Sequence, residues 1–226
     1  MNPETIFLRK RFEEIKAEVQ TFDKTLVPQS SYIRIDQTLE NGVGTYTFDP
    51  LLNNGGAGPL EKKLDKNDLF FISSINLAIT ATNKTLPADV VFLNTINPDK
   101  LNTCISAAGL ASLKTDLAAA TGLNTIFNGF ISLRTGQTVS LQNFPTLRFC
   151  RISDTDASID GASVILPERV LLNGASDQRF ELVFNGQNTT MQNATTPAYT
   201  FGVSLFMSGF LVKSGARIVE QLTPNK

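Results

Sequence analysis

The side chains able to do chemistry are few, and their spacing narrows the choice. Asp154, Asp156 and Asp160 alternate through Asp154-Thr-Asp156-Ala-Ser158-Ile-Asp160-Gly161. Carboxylates spaced this way in a loop can gather around calcium, a hard cation that takes many oxygen ligands. The pattern departs from a calcium-binding loop, because Ser158 stands at the fifth position, the glycine comes late and no glutamate closes it. Arg9, Lys10 and Arg11 form a short basic run of the kind that can meet nucleic acid. Cys104 and Cys150 stand far apart with no Cys-x-x-Cys spacing, which reads as two buried thiols, with a bridge between them as the alternative. The chain has no histidine. That excludes Ser-His-Asp and Cys-His catalysis and histidine-ligated zinc or copper. No Gly-x-Ser-x-Gly occurs either. The chemistry points away from an enzyme, and no cofactor is expected.

The elements that must carry these residues divide into two kinds. From Thr5 to Phe22 the apolar positions Leu8, Phe12, Ile15, Val19 and Phe22 recur at helical spacing, opposite a charged face running from Arg9 to Glu18. This amphipathic helix can pack on its own domain or grip a neighbouring subunit, and the spacing allows both. Beyond residue 31 the period shortens to that of strands. Ser31–Asp36, Gly44–Phe48, Leu69–Thr80, Val90–Leu93, Gly129–Arg134, Thr138–Gln142, Thr146–Ile152, Val164–Leu166, Val170–Leu172, Arg179–Phe184 and Tyr199–Val212 are predicted strands. In the third of these, Phe71, Ser73, Ile75, Leu77 and Ile79 are expected on one face. In the last, Phe201, Val203, Leu205, Met207, Gly209 and Leu211 share a face, and only a polar tail follows. A short surface helix is predicted within 109–121, carrying Leu110, Leu113 and Leu117, with Gly122 as its C-cap. The expected fold is mainly β: an antiparallel, jelly-roll-like β-sandwich with an N-terminal amphipathic helix and a short inserted helix. Residues 1–28 form a helical arm and 29–226 the sandwich domain.

Composition constrains what such a domain can do. Net charge is −1 and charged residues make up only 18%, so no global field draws in nucleic acid or an anionic membrane. Hydrophobic residues at 42% supply a continuous core, and sixteen phenylalanines with no tryptophan suit aromatic interleaving between sheets. A neutral surface rich in Asn, Thr, Ser and Gln suits extensive protein–protein contact. No apolar run is long enough for a membrane span, and no basic n-region with an apolar stretch opens the chain. A soluble protein without an export signal is expected.

The stretch Val164-Ile-Leu-Pro-Glu-Arg-Val-Leu-Leu-Asn-Gly174, then Arg179-Phe-Glu-Leu-Val-Phe184, then the long closing strand, resembles phage virion proteins. With the polar N-terminal arm, the whole looks like single jelly-roll virus coat proteins. The resemblance implies a capsid subunit that self-assembles into an icosahedral shell, with copies of itself and other virion proteins as partners and the virion as its location. Leu8, Phe12, Ile15 and Val19 are the expected assembly contact, joined by the loops at 50–59, 94–128 and 185–198. The basic run Arg9, Lys10, Arg11 is short beside the arms of coat proteins that package nucleic acid directly, which puts direct genome binding in doubt. The alternative from another class is a carbohydrate-binding or adhesin-type sandwich, which would stack sugars on Tyr32, Tyr46 or Tyr199. An enzyme built on paired carboxylates is a third reading, for which no pair can be named.

Overall fold

Alternating β-branched and aromatic residues become strands that bury one face, and nine such strands fall among the described residues. The computed structural model describes residues 3–52, 56–86, 90–93, 111–135, 138–150, 163–187, 189–195 and 197–222. The protein is mainly β, with two antiparallel sheets and few helices. The first sheet runs β1 (Gln29–Thr38), β9 (Tyr199–Val212), β3 (Leu69–Asn83). The far edge of β3 is shared by β7 (Val164–Asn173) and β4 (Val90–Leu93). The second sheet runs β2 (Thr45–Phe48), β8 (Gln178–Val183), β5 (Phe130–Thr135), β6 (Thr138–Pro145).

The pairing is nested. β1 pairs with β9, β2 with β8, β3 with β7 and β5 with β6, every pair antiparallel. The chain therefore doubles back as one long ribbon whose tip is the β5–β6 hairpin. Pairs β3–β9 and β5–β8 then join turns of that ribbon within each sheet. Ile33, Ile35, Leu77, Val203 and Leu205 from the first sheet meet Phe48, Ile131, Leu133, Phe180 and Leu182 from the second in one core. The closing strand β9, long and apolar enough to be a hazard at an open edge, is paired on both sides.

Strand β3 departs from the expected facing. Its register slips between Ile72 and Ser74 against both neighbours, leaving Ser73 as a bulged residue. Side chains alternate strictly, so one extra residue exchanges the two faces. Phe70 and Ile72 point into the main core with Ile75, Leu77 and Ile79, whereas Phe71 belongs to a second cluster on the outer side. Gly209 stands beside this bulge, where a Cβ would lie 2.0 Å from the Phe71 carbonyl oxygen. The same slip accommodates Pro167 within β7. Val170 faces Ile72 and Ile165 faces Ser74, so Pro167 falls where ladder pairing is already interrupted.

Helix α1 (Pro3–Phe22) covers that outer side. Ile15 and Val19 are fully buried with Leu69, Phe71, Phe210 and Val212. Ile218, in the 3-10 turn Gly215–Ile218 that leads into α3 (Val219–Leu222), closes the same cluster. The segment after β9 is thus more than the polar tail that composition indicates. Two further expectations change. Thr146–Phe149 is a 3-10 turn rather than the start of a strand, held by the buried Thr146 hydroxyl, which donates to the Ile126 carbonyl at 2.7 Å and accepts from the Gly129 amide at 2.9 Å. Helix α2 spans Ala111–Ala119, and Gly122 beyond it is right-handed (φ −83°), so it is not a left-handed cap. Glycine is required there by close approach instead, since a Cβ would sit 2.6 Å from Thr189 Cβ.

If α1 is part of the folded core, Ile15→Ala should cost about 2–5 kcal/mol, as for other large-to-small changes at fully buried sites. A urea-unfolding midpoint unchanged by Ile15→Ala would mean that the helix contributes nothing to the stability of the domain.

Candidate functional site

Helix α1 carries most of the expected site residues, and its docking divides them. Ile15 and Val19, expected at a subunit contact, are spent on the chain's own core. Leu8 and Phe12, nearer the N-terminus, are only partly buried, and the Phe12 ring tilts against Phe210 with centroids 5.3 Å apart. Ile6 and Phe7 are exposed beyond them. The basic run is divided too. Arg9 and Lys10 face solvent, with Lys10 3.9 Å from Glu14 one turn on. Arg11 is buried, its guanidinium 4.5 Å from the centre of the Phe7 ring. Desolvation first, and then the neighbouring Arg169 cation, lower its pKa against the opposing pull of Glu14. The three cations therefore present no common surface.

A second surface arises from the second sheet, and alternation in sequence hints at it. Ile131 and Leu133 point inward from β5, so Phe130, Ser132 and Arg134 must point out, and an aromatic on that polar face is an anomaly. Cross-strand register places Phe130 opposite Val183 on one side and Pro145 on the other. Phe130 is 51% exposed and Val183 43% exposed. This apolar row crosses three strands, and Leu147 is exposed just beyond Pro145. Toward the other end of the same face the residues turn charged, with Arg134 3.6 Å from Glu181.

The loop before β9, expected as a contact loop, is tied to its own chain by hydrogen bonds. Asp116 of α2 is almost fully buried. Its carboxylate accepts from the Asn193 side-chain amide at 2.7 Å and from the Ala198 and Tyr199 backbone amides at 2.9 Å each. Gln192 adds a second clasp, donating to the carbonyls of Leu39 and Phe201 and accepting from the Phe201 amide. Asn41 accepts from the Met191 and Gln192 amides at 2.7 and 2.9 Å. A carboxylate this deep carries no sequence signal, because Asp116 lies among the alanines and leucines of an unremarkable helix.

Of the three tyrosines, Tyr46 and Tyr199 are buried. Burial pushes the Tyr46 hydroxyl up in pKa, outweighing its hydrogen bond with Glu40. Tyr32 is half exposed, with Lys62 Nζ 4.5 Å from its ring centre. Asp154, Asp156 and Asp160 lie outside the described residues, as does Cys104, while Cys150 packs partly buried against the main core. Among the described residues no group of three or more Cys, Asp and Glu side chains could hold a metal ion, and no helix is long and apolar enough to cross a membrane. Set against known proteins, the chain matches no family model and no curated protein.

Replacing Asp116 by Asn puts an amide N–H donor among groups that themselves donate. The change should cost about 1–3 kcal/mol through lost charge-assisted and unsatisfied hydrogen bonds. Hydrogen exchange at the Ala198 and Tyr199 amides should quicken; protection equal to wild type would mean that the latch holds nothing.

Proposed function

We propose that this protein is a virion structural subunit, a jelly-roll-like sandwich that assembles with copies of itself, and with other virion proteins, into an icosahedral shell. The jelly-roll part of the reading is supported by the nested pairing. With β4 set aside, the ribbon pairs β1–β9, β2–β8, β3–β7 and β5–β6 fall alternately into one sheet and the other. A long antiparallel ribbon rolled around one core gives this order, with two Greek keys.

The observation that carries assembly is the apolar row Val183–Phe130–Pro145 on the solvent face of the second sheet. An aromatic and a branched aliphatic side chain set side by side on an outer face mark a contact surface better than scattered exposed residues do. The near-neutral chain adds little long-range repulsion between copies. The alternative, a sugar-binding sandwich, retains Tyr32 as its one accessible tyrosine, and that ring already faces Lys62.

The full chain should form rings, shells or discrete oligomers in mass photometry and negative-stain imaging across salt and concentration. Phe130→Ser combined with Val183→Thr should abolish them while moving the melting temperature by no more than a few degrees, because both side chains are exposed. Point changes are the sharper tool here. Removing residues 1–25 would strip cover from Leu69, Phe71, Phe210 and Val212 and so confuse assembly with folding. A wild-type monomer under every condition, or oligomers indifferent to the double change, would sink the reading.

A further inference from the structure

On the outer face of the first sheet, beyond the part that α1 covers, lies a trough of about 200 Å³. Strand register builds it. Gly202 of β9 stands between Thr38 of β1 and Thr80 of β3, and on the next rung Thr200 stands beside Thr82. The glycine leaves a slot one residue wide in the middle strand, and threonine side chains wall it. Arg34 and Asp36 close one end and are the only charged residues that line the trough.

The two buried threonines among the described residues behave oppositely. Thr146 has its hydroxyl bonded both ways, to the Ile126 carbonyl and from the Gly129 amide. Thr80 is 5% exposed, and its hydroxyl makes no hydrogen bond with the described residues. Its oxygen is not sealed as that of Ser73 is. It borders the trough and lies over Gly202, 2.8 Å from where a Cβ on that glycine would stand. A hydroxyl held there finds a partner only in water or a solute that enters the trough. The charged end is already arranged. Asp36 accepts from Arg34 Nε at 3.0 Å, pairs with Nη2 at 2.9 Å and accepts from the Ser204 hydroxyl as well. The Arg34 guanidinium lies 4.9 Å from the ring centre of Phe92 and 5.4 Å from that of Phe206. Two rings and a forked ion pair fix this side chain, so little of its freedom is left to lose on binding.

We propose that this trough binds one neutral sugar ring, a hexopyranose, with Thr80 and Asp36 as its principal polar contacts. The pairing of Arg34 with Asp36 leaves the lining without net charge, which favours a neutral ligand over an anion or a cation. The four threonine hydroxyls each donate and accept, as sugar hydroxyls do. A carboxylate offers about four lone-pair sites, and the contacts of Asp36 with Arg34 and Ser204 leave room for a ligand hydroxyl to donate. The volume lies below the roughly 300–1,000 Å³ of drug-sized sites, which limits the occupant to one ring. A ring presents its hydroxyls pre-organised, whereas an open-chain polyol must give up rotamers to do so. The site makes no use of Tyr32, and it is independent of assembly, because the trough lies on the first sheet and the apolar row on the second.

The test is titration of the full chain, followed by amide chemical shifts, with the methyl pyranosides of glucose, galactose and mannose. Cyclohexanol and sorbitol serve as the one-hydroxyl ring and the open chain. At least one glycoside should bind saturably, with a Kd of about 1 mM or below and at least about tenfold more tightly than either control. Thr80→Val, which removes the hydroxyl and keeps the branched shape, should weaken that glycoside by about tenfold or more, with the melting temperature of the sugar-free protein no lower. Thr38→Trp, at an exposed position on the border, fills the slot over Gly202 and should abolish binding with circular dichroism unchanged. No saturable binding of any of the three glycosides, a control that binds as tightly, or affinities unmoved by both changes would each overturn the proposal.

Discussion

Strand β3 has to bury both of its faces, because the main core lies on one side of it and helix α1 on the other. In a regular strand Phe71 would join Ile75, Leu77 and Ile79 on the inner face, and Phe70 and Ile72 would face the helix. The bulge at Ser73 exchanges the faces midway. Leu69 and Phe71 then meet Ile15 and Val19, while Phe70 and Ile72 stay with the inner core. Gly209 admits the bulge by leaving room for the Phe71 carbonyl, and Pro167 sits where the slip has already broken the ladder with β7. Among the described residues the buried Ser73 hydroxyl has no hydrogen-bond partner.

Magnitudes decide what holds α1 in place. Its ion pairs, Glu18 with Arg169 and Asp23 with Arg217, are partly exposed, and such pairs contribute about 0–1 kcal/mol each. Full burial of a side chain such as Ile15 or Val19 contributes about 1.5–3 kcal/mol. Docking is therefore an apolar event that the ion pairs orient. The helix ends up as the lid of a second small core that the C-terminal turn completes through Ile218. Its buried half serves folding, while Leu8, Arg9 and Phe12 of its N-terminal half overhang the serines of the sheet.

At the other end of the molecule the constraint is polar. Loop 185–198 must return the chain to β9, and Asp116, Asn41 and Gln192 absorb the backbone groups this return leaves unpaired. With that loop pinned and α1 docked, an aromatic and a branched aliphatic side chain remain exposed side by side on the solvent face of the second sheet, where Phe130 and Val183 stand in register. A row on strands is a firmer platform than a loop, since its side chains are held by ladder pairing on both flanks.

Local pattern made much of this protein legible. The helix from Thr5 and the strands Val90–Leu93, Arg179–Phe184 and Tyr199–Val212 could all be read from periodicity, because helical and strand alternation depend on neighbours in sequence. The absence of histidine likewise ruled out whole classes of catalysis before any fold was known. What periodicity could not carry was anything set by partners distant in sequence. The bulge in β3 depends on β7 and β9, the burial of Asp116 on a loop some eighty residues away, and the choice of Ile15 and Val19 for the chain's own core on a sheet face not yet formed. The same stripe of apolar residues serves a helix that docks at home and one that grips a neighbour. Only the tertiary structure decided between them, because a stripe encodes that a face will be buried and not what will bury it.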